Sequence, residues 1–527
     1  MTELDGTGPL LQLAWRRDSW VVIASVLAIV LLAYSSMAAT LSLYSTDAEA
    51  RAAAALMSAT SSVKAMYGPL PALTAEGVGV IKTITMGGLG AAFLAHALVR
   101  RHTRTEEEEG RLELVAAGVV GRRAPLAAAV ILAASAVLST GLLCALSLMS
   151  LKVSPAGSLA LGVVVAVAGL VMTGVSAVAA QLTTTTRGAG GIALALLGLA
   201  FILRAVADTS GIPVLGWLSF LGWAERVSPF GANRLWILAP AVVALAVLLA
   251  VADRLLHRRD LGSGLWADRP GPATASPRLG TPLGLAWRLQ RGALAGWAIG
   301  YAVLGLVVGS LAGSAGAIAS DPKTAEMLRK MSGGHGSATD VFFGTELRFA
   351  ALGAAAYGMS AALRLRSEEA PGRAEIVLAT ATTRWRWLLS HALVALGGAT
   401  LLMAVVGTAA GVSAARSGVI GVGALLGAAA STLPAVWVST AVALLLFGLL
   451  PRRSAMTWAV LAGFLLLGEL GALLKLPDWV QGISPFAHLG SLPGGPADLA
   501  GAVVLVVIAG GLAAYGGVAF GRRDLVS

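Results

Sequence analysis

Long apolar runs divided by short charged stretches set the pattern of this chain. A helix that crosses a bilayer needs about 20 mostly apolar residues. Twelve stretches qualify: 20–43, 78–99, 125–150, 155–182, 188–206, 235–256, 293–316, 343–363, 387–412, 418–449, 454–474 and 499–520. Run 188–206 is short and Gly-rich, and run 343–363 begins near Glu346 and Arg348. Run 418–449 contains Pro434, which predicts a kink. The pattern reads as an all-α integral membrane protein with twelve transmembrane helices.

Composition agrees. Of 527 residues, 57% are hydrophobic and 12% charged, where a soluble domain carries about 25% charged. That excludes a water-soluble globule, and the hydrophobicity excludes disorder. A net charge of +11 would point to nucleic acid in a soluble protein. Here it reads as topology, and no nucleic-acid partner is expected. Twelve spans put both termini on one side, and 25 of the 38 Lys and Arg fall on that side. The positive-inside rule makes it the cytoplasm. With 32 Arg against 6 Lys, the expected location is a bacterial cell membrane. The start lacks a basic n-region, so no cleaved signal peptide is expected. One cysteine, Cys144, leaves no disulfide framework or thiolate metal site.

The chain repeats itself. Arg104, Glu106, Glu107, Gly110, Arg111 and Glu113 recur as Arg366, Glu368, Glu369, Gly372, Arg373 and Glu375. Trp223, Ser228, Pro229 and Phe230 recur as Trp479, Ser484, Pro485 and Phe486. Leu13-Ala14-Trp15-Arg16 recurs as Leu285-Ala286-Trp287-Arg288. Six spans in each half make the halves parallel repeats about an axis along the membrane normal. Residues 1–256 form the first, 257–281 a Pro/Gly-rich cytoplasmic linker, and 282–527 the second.

The segments after spans two and eight carry the most information. Both read as cytoplasmic helices, with Glu107–Arg111 and Glu369–Arg373 spaced i,i+4 and an apolar stripe of Leu112, Val115, Ala116 and Val119. Two copies of one acidic–basic pattern on one face predict docking of a two-fold partner. Four adjacent Glu argue against a site for anionic lipid headgroups. The Trp-x4-Ser-Pro-Phe motifs read as short external helices and candidate outer gates over a central path. LLQLAWRRDSW and LGLAWRLQRG read as interfacial amphipathic helices.

Charges inside spans are scarce: Glu76, Lys82, Glu346, Arg348 and, deepest, Glu469. His96 and His391 read as packing residues. The chain holds no Gly-Lys dipeptide, no GxSxG and no HExxH, hence no Walker A loop and no expected catalytic, cofactor-binding or metal site. Energy from ATP would have to come from another chain.

The pattern R-x-E-E-x-x-G-R-x-E-x-x-x-A, ending at Ala117 and Ala379, together with the two Ser-Pro-Phe motifs, resembles the ABC-2-like permeases of the polyketide-antibiotic (tetronasin-type) exporter family. The resemblance covers nearly the whole chain. It implies a type V-like ABC exporter fold and two copies of a separately encoded ATPase that carry ATP and Mg2+. Each repeated segment would be a coupling helix seated in one ATPase. The substrates would be amphipathic antibiotics, drugs or lipids leaving the cell. Spans two, five, eight and eleven would line the path, with Met86, Phe93, Met359 and Phe464 as candidate lining residues and Glu469 beside them. Ala370-Pro371 replaces Glu108-Glu109 in the second copy, which predicts unequal docking sites. The alternative is a proton-driven twelve-helix secondary drug transporter, but the first half offers no carboxylate away from its span ends. A membrane-embedded enzyme would need a polar catalytic cluster at one depth, and none is visible.

Overall fold

A computed structural model describes residues 2–44, 46–59, 61–266, 273–310, 312, 337–416, 418, 420–470, 477–490 and 492–525. The described residues are helices and loops without strands. They form two compact units, Met1–Gly271 and Pro272–Ser527.

The first unit holds six long helices: α1 Thr7–Leu43, α2 Ala75–Glu108, α3 Ala124–Met149, α4 Pro155–Leu182, α5 Thr186–Ser210 and α6 Leu235–His257. Three begin on a hydroxyl cap: Thr74, Ser154 and Thr185 accept from the amides of Gly77, Gly157 and Gly188. A capping oxygen occupies one of the four amide donors that a helix start leaves open. α2 and α4 are the most enclosed. α3 crosses α4 through Gly141 and Gly162, where a side chain on either would overlap the other's carbonyl. In lipid, with little hydrophobic drive between helices, such close backbone approach holds helices together.

The second unit holds α7 Pro282–Ser310, α8 Ala338–Ala362, α9 Arg384–Ala415, α10 Val422–Leu449, α11 Met456–Leu470 and α12 Leu499–Arg522. The same device recurs. Gly305 and Gly309 lie on the α9 backbone at Val406 and Ala410, and Gly448 of α10 lies on Gly516 of α12. Trp387, Phe447 and Phe520 fill the core beside this last crossing, with ring centroids 5.2–6.4 Å apart.

Among the described residues, ten helices are long and apolar enough to cross a membrane. α8 and α11 fall short of that mark. α8 carries Asp340, Glu346 and Arg348 along 25 residues, and 15 residues of α11 are described.

Three expectations change. The two proposed interfacial helices, residues 10–20 and 283–292, run without a break into the long helices α1 and α7, which keeps Gly284 and Gly292 inside α7. The break in α10 falls at Thr432, and Pro434 sits in the first turn of the piece that follows, where its missing amide costs nothing. The linker begins as part of the first unit: Leu265 and Trp266 donate their amides to Gln181 and Leu182.

Candidate functional site

In each unit the repeated acid–arginine segment folds as two short helices around one glycine. The first copy runs from Glu106–Glu108 to Arg111–Ala116 and the second from Arg364–Glu369 to Arg373–Leu378. Gly110 turns at φ 71°, ψ 0° and Gly372 at φ 74°, ψ 0°. This left-handed conformation costs an L-residue roughly 1–2 kcal/mol. Both glycines face open space, so strain alone penalises a substitution. Gly110→Ala and Gly372→Ala should each lower stability by about 1 kcal/mol, read as a small fall in melting temperature in detergent. A fall matching a core mutation would show that the turns are crowded. Pro371 does not cause the break, because the first copy breaks at the same place without a proline.

The turn rearranges the expected pairing. A continuous helix would stack Glu107 on Arg111 and Glu369 on Arg373. Instead the chain doubles back, and Arg111 Nε lies 2.7 Å from Glu106 Oε2, as Arg373 Nε lies 3.0 Å from Glu368 Oε2. Arg17 also pairs with Glu106, and Arg364 reaches Glu368 at 2.6 Å.

The second acid of each pair turns inward. Glu107 and Glu369 are 8% and 1% exposed. Each grips an arginine just beyond the last long helix of its unit. Arg259 donates to both Glu107 oxygens at 2.5 and 2.8 Å. Arg523 donates to both Glu369 oxygens at 2.6 and 3.0 Å. A third cation completes each group: Arg104 is fully buried on Glu107, and Arg366 lies 3.6 Å from Glu369. Two-pronged pairs of this kind are the strong, oriented form of ion pair. Arg122 and Arg384, just ahead of and at the start of α3 and α9, donate to the carbonyls of Arg259 and Arg523, each at 2.5 Å.

Sequence reading missed Arg259 and Arg523. The signal was present: Arg258-Arg259-Asp260-Leu261 returns as Arg522-Arg523-Asp524-Leu525.

Turning the second acids inward leaves a different surface outward. Leu114 is 79% exposed and Ile376 is 73% exposed at equivalent places in the two short helices, each following an exposed Glu, Glu113 or Glu375. The expected apolar stripe is therefore incomplete: Leu112 is buried, but Val119 lies beyond the helix end and is exposed.

The Trp-x4-Ser-Pro-Phe motifs lie before α6 and α12. Ser228 Oγ donates to the Pro71 carbonyl at 2.6 Å and Ser484 Oγ to that of Phe464 at 3.0 Å. The copies differ in backbone. Ser228 and Phe230 have φ of 56° and 62°, whereas Ser484 is extended with φ of −75°. Pro229, Pro485 and Phe486 are buried, and Phe230 packs on Gly157. Trp223 donates to Trp217, and Trp479 is exposed. Of the candidate path residues, Met359 and Phe464 are buried in the second unit's core, Phe93 is exposed, and Met86 is half-buried in a π-turn, Thr83–Gly87. The Glu469 side chain lies outside the described residues.

At the opposite end of the first unit lies a cluster that the sequence reading passed over. Arg204 of α5 is fully buried, 2.8 Å from Glu225 and 3.8 Å from Asp208, and also donates to the Ala65 and Met66 carbonyls. Glu225 lies on the short helix Phe220–Arg226. Burial pushes its carboxyl well above the usual carboxylate range, while Arg204 opposes the shift. Removing one partner of a buried pair costs about 3–5 kcal/mol, so Arg204→Met should destabilise strongly. An acid whose folded pKa is raised loses stability as pH rises toward that pKa. The variant should therefore melt closest to wild type at acidic pH and diverge as pH rises. A pH-independent gap would mean that Glu225 does not titrate with folding.

Comparison with known proteins adds two findings. The family model described as "Multidrug efflux system permease Rv1217c, C-terminal domain" matches residues 279–521. Over 531 aligned positions the chain is 39% identical to the multidrug efflux system permease protein Rv1217c of Mycobacterium tuberculosis, covering 99% of this chain and 95% of the relative.

Proposed function

The chain belongs to the family of multidrug efflux permeases and is a multi-pass membrane protein, and from that premise we propose that it is the transmembrane subunit of an ATP-driven ABC exporter for amphipathic drugs, antibiotics or lipids. Its twelve helices form two parallel six-helix repeats of the type V-like kind in a bacterial cell membrane, with both termini in the cytoplasm. Two copies of a separately encoded ATPase bind ATP and Mg2+ and dock on the two acid–glycine–arginine segments. Closure of the ATPases brings the segments together, and the helices carry that motion to the Ser-Pro-Phe ends, alternating access between the two sides.

One observation carries this reading. Each unit holds out one short helix with an exposed aliphatic side chain, Leu114 or Ile376, beside an exposed carboxylate. The helix is fixed at its base by a buried ion cluster. A solvated loop has no use for a rigid base and an apolar tip. An aliphatic anchor seated in a partner's pocket is one form that the buried centre of an interface takes. Leu114→Asp with Ile376→Asp should thus release the ATPase on purification and abolish drug efflux, with the permease still folded. Full assembly and efflux in that variant would refute the docking reading.

The rival proton-driven transporter has one observation in its favour. Buried Glu225 and half-buried Asp208 place two carboxyls beside a single arginine. In the second unit Gln481 stands where Glu225 does in the repeat.

A further inference from the structure

We propose that Arg259 and Arg523 are positioning residues of the transport cycle, each locking the end of its unit's last long helix to the docking segment. The proposal rests on the docking reading above and adds where the motion goes first.

Three features support it. First, each arginine approaches its acid with both nitrogens, at 2.5–2.8 Å for Glu107 and 2.6–3.0 Å for Glu369. Two parallel hydrogen bonds fix orientation as well as distance. Second, the arginine is held from behind. Arg259 Nε donates to Gln181 Oε1 at 2.7 Å. Arg523 Nε donates to the Gly448 carbonyl at 3.1 Å, and its guanidinium lies 5.1 Å from the rings of both Phe447 and Phe520. Third, the arrangement occurs twice, built by different supports in two units. A chance surface pair would not acquire a buried, two-pronged geometry in both copies.

The consequence is mechanical. The docking helix is joined covalently to α2 or α8 on one side and to α3 or α9 on the other. The clamp adds the last helix, α6 or α12, to which it has no short covalent path. Displacement of the docking segment then pulls three helices of its unit rather than two.

Two experiments test this. Glu107→Gln with Glu369→Gln keeps shape and one acceptor but removes the charge. In the complexes that assemble, we expect drug moved per ATP hydrolysed to fall at least tenfold. Arg259→Lys with Arg523→Lys, which keeps the charge and one donor, should recover part of that ratio. Transport and hydrolysis falling in proportion, or neither changing, would overturn the proposal.

The second experiment uses the intact clamp. Spin labels at exposed Thr380 and Arg522 report the separation of the docking segment from the end of α12. That separation should stay constant between nucleotide-free and nucleotide-trapped complexes. A pair that moves apart overturns the clamp and leaves docking standing. A wild-type chain that purifies without any ATPase removes the docking reading itself.

Discussion

Glu107→Lys and Glu369→Lys are expected to be the most damaging single charge changes in the cytoplasm-facing loops of the proposed topology. Each replaces a buried acid by a third cation among two arginines. Breaking a buried pair by removing one partner costs about 3–5 kcal/mol, and the added like charge raises that further. Domains are stable by only about 5–15 kcal/mol, so little folded protein should reach the membrane. The readout is the yield of monodisperse permease after mild extraction, against Glu109→Lys as the exposed control. Equal yields would show that Glu107 and Glu369 are solvated and that the clamps do not form. The contrast also separates two roles that the repeated motif merges. Glu107 and Glu369 hold the segment, whereas Glu113 with Leu114 and Glu375 with Ile376 form the proposed docking face.

The second large effect lies in the helix crossings. Gly448 and Gly516 bring the backbones of α10 and α12 into contact, and a side chain on Gly448 would overlap Gly516 itself. Overpacking a filled core costs typically 1–3 kcal/mol and occasionally more. Here the obstacle is backbone, which cannot rotate away. Gly448→Leu should force α12 off α10 and carry Arg523 away from Glu369, since Arg523 also holds the Gly448 carbonyl. The expected result is a large fall in melting temperature. Gly463→Leu, at a position with open space around it, should change little. Similar melting of the two variants would contradict the close crossing.

Much of the architecture was legible because lipid allows so few solutions. A long apolar run must satisfy its own backbone, and a helix does so within one segment. The runs therefore located the long helices among the described residues, and the repeated residues located the two acid–glycine–arginine segments. What failed was the pairing inside those segments. The i,i+4 rule assumes an unbroken helix, and Gly110 and Gly372 end it by turning left-handed. Whether a glycine turns or continues depends on what the neighbouring acid finds to bind. That partner, Arg259 or Arg523, lies about 150 residues away along the chain. Distance in sequence hid it, although the repeated Arg-Arg-Asp-Leu could have pointed to it. Arg204 escaped for a related reason. At the end of an apolar run it reads as a residue that reaches the membrane surface, whereas its guanidinium is enclosed by chain segments from before α2 and after α5.

The proposed gate and path residues were less legible. Apolar linings of a path and apolar packing use the same residue types. Met359 and Phe464 are enclosed in their own unit's core, and Phe93 is exposed on α2 like many aliphatic residues that face lipid. The Ser-Pro-Phe motifs share a serine that ties the turn to a neighbouring carbonyl, but only the first uses positive φ. The two ends are therefore anchored alike and shaped differently.

The central claim is that this permease draws on a separate ATPase. The direct test is to purify the tagged full-length chain gently from native membranes, identify what accompanies it, and reconstitute the preparation into liposomes with a fluorescent amphipathic drug. The account predicts an ATPase at two copies per chain and drug movement that needs ATP and survives a protonophore. A chain that purifies alone, and moves drug under a proton gradient without ATP, would contradict it.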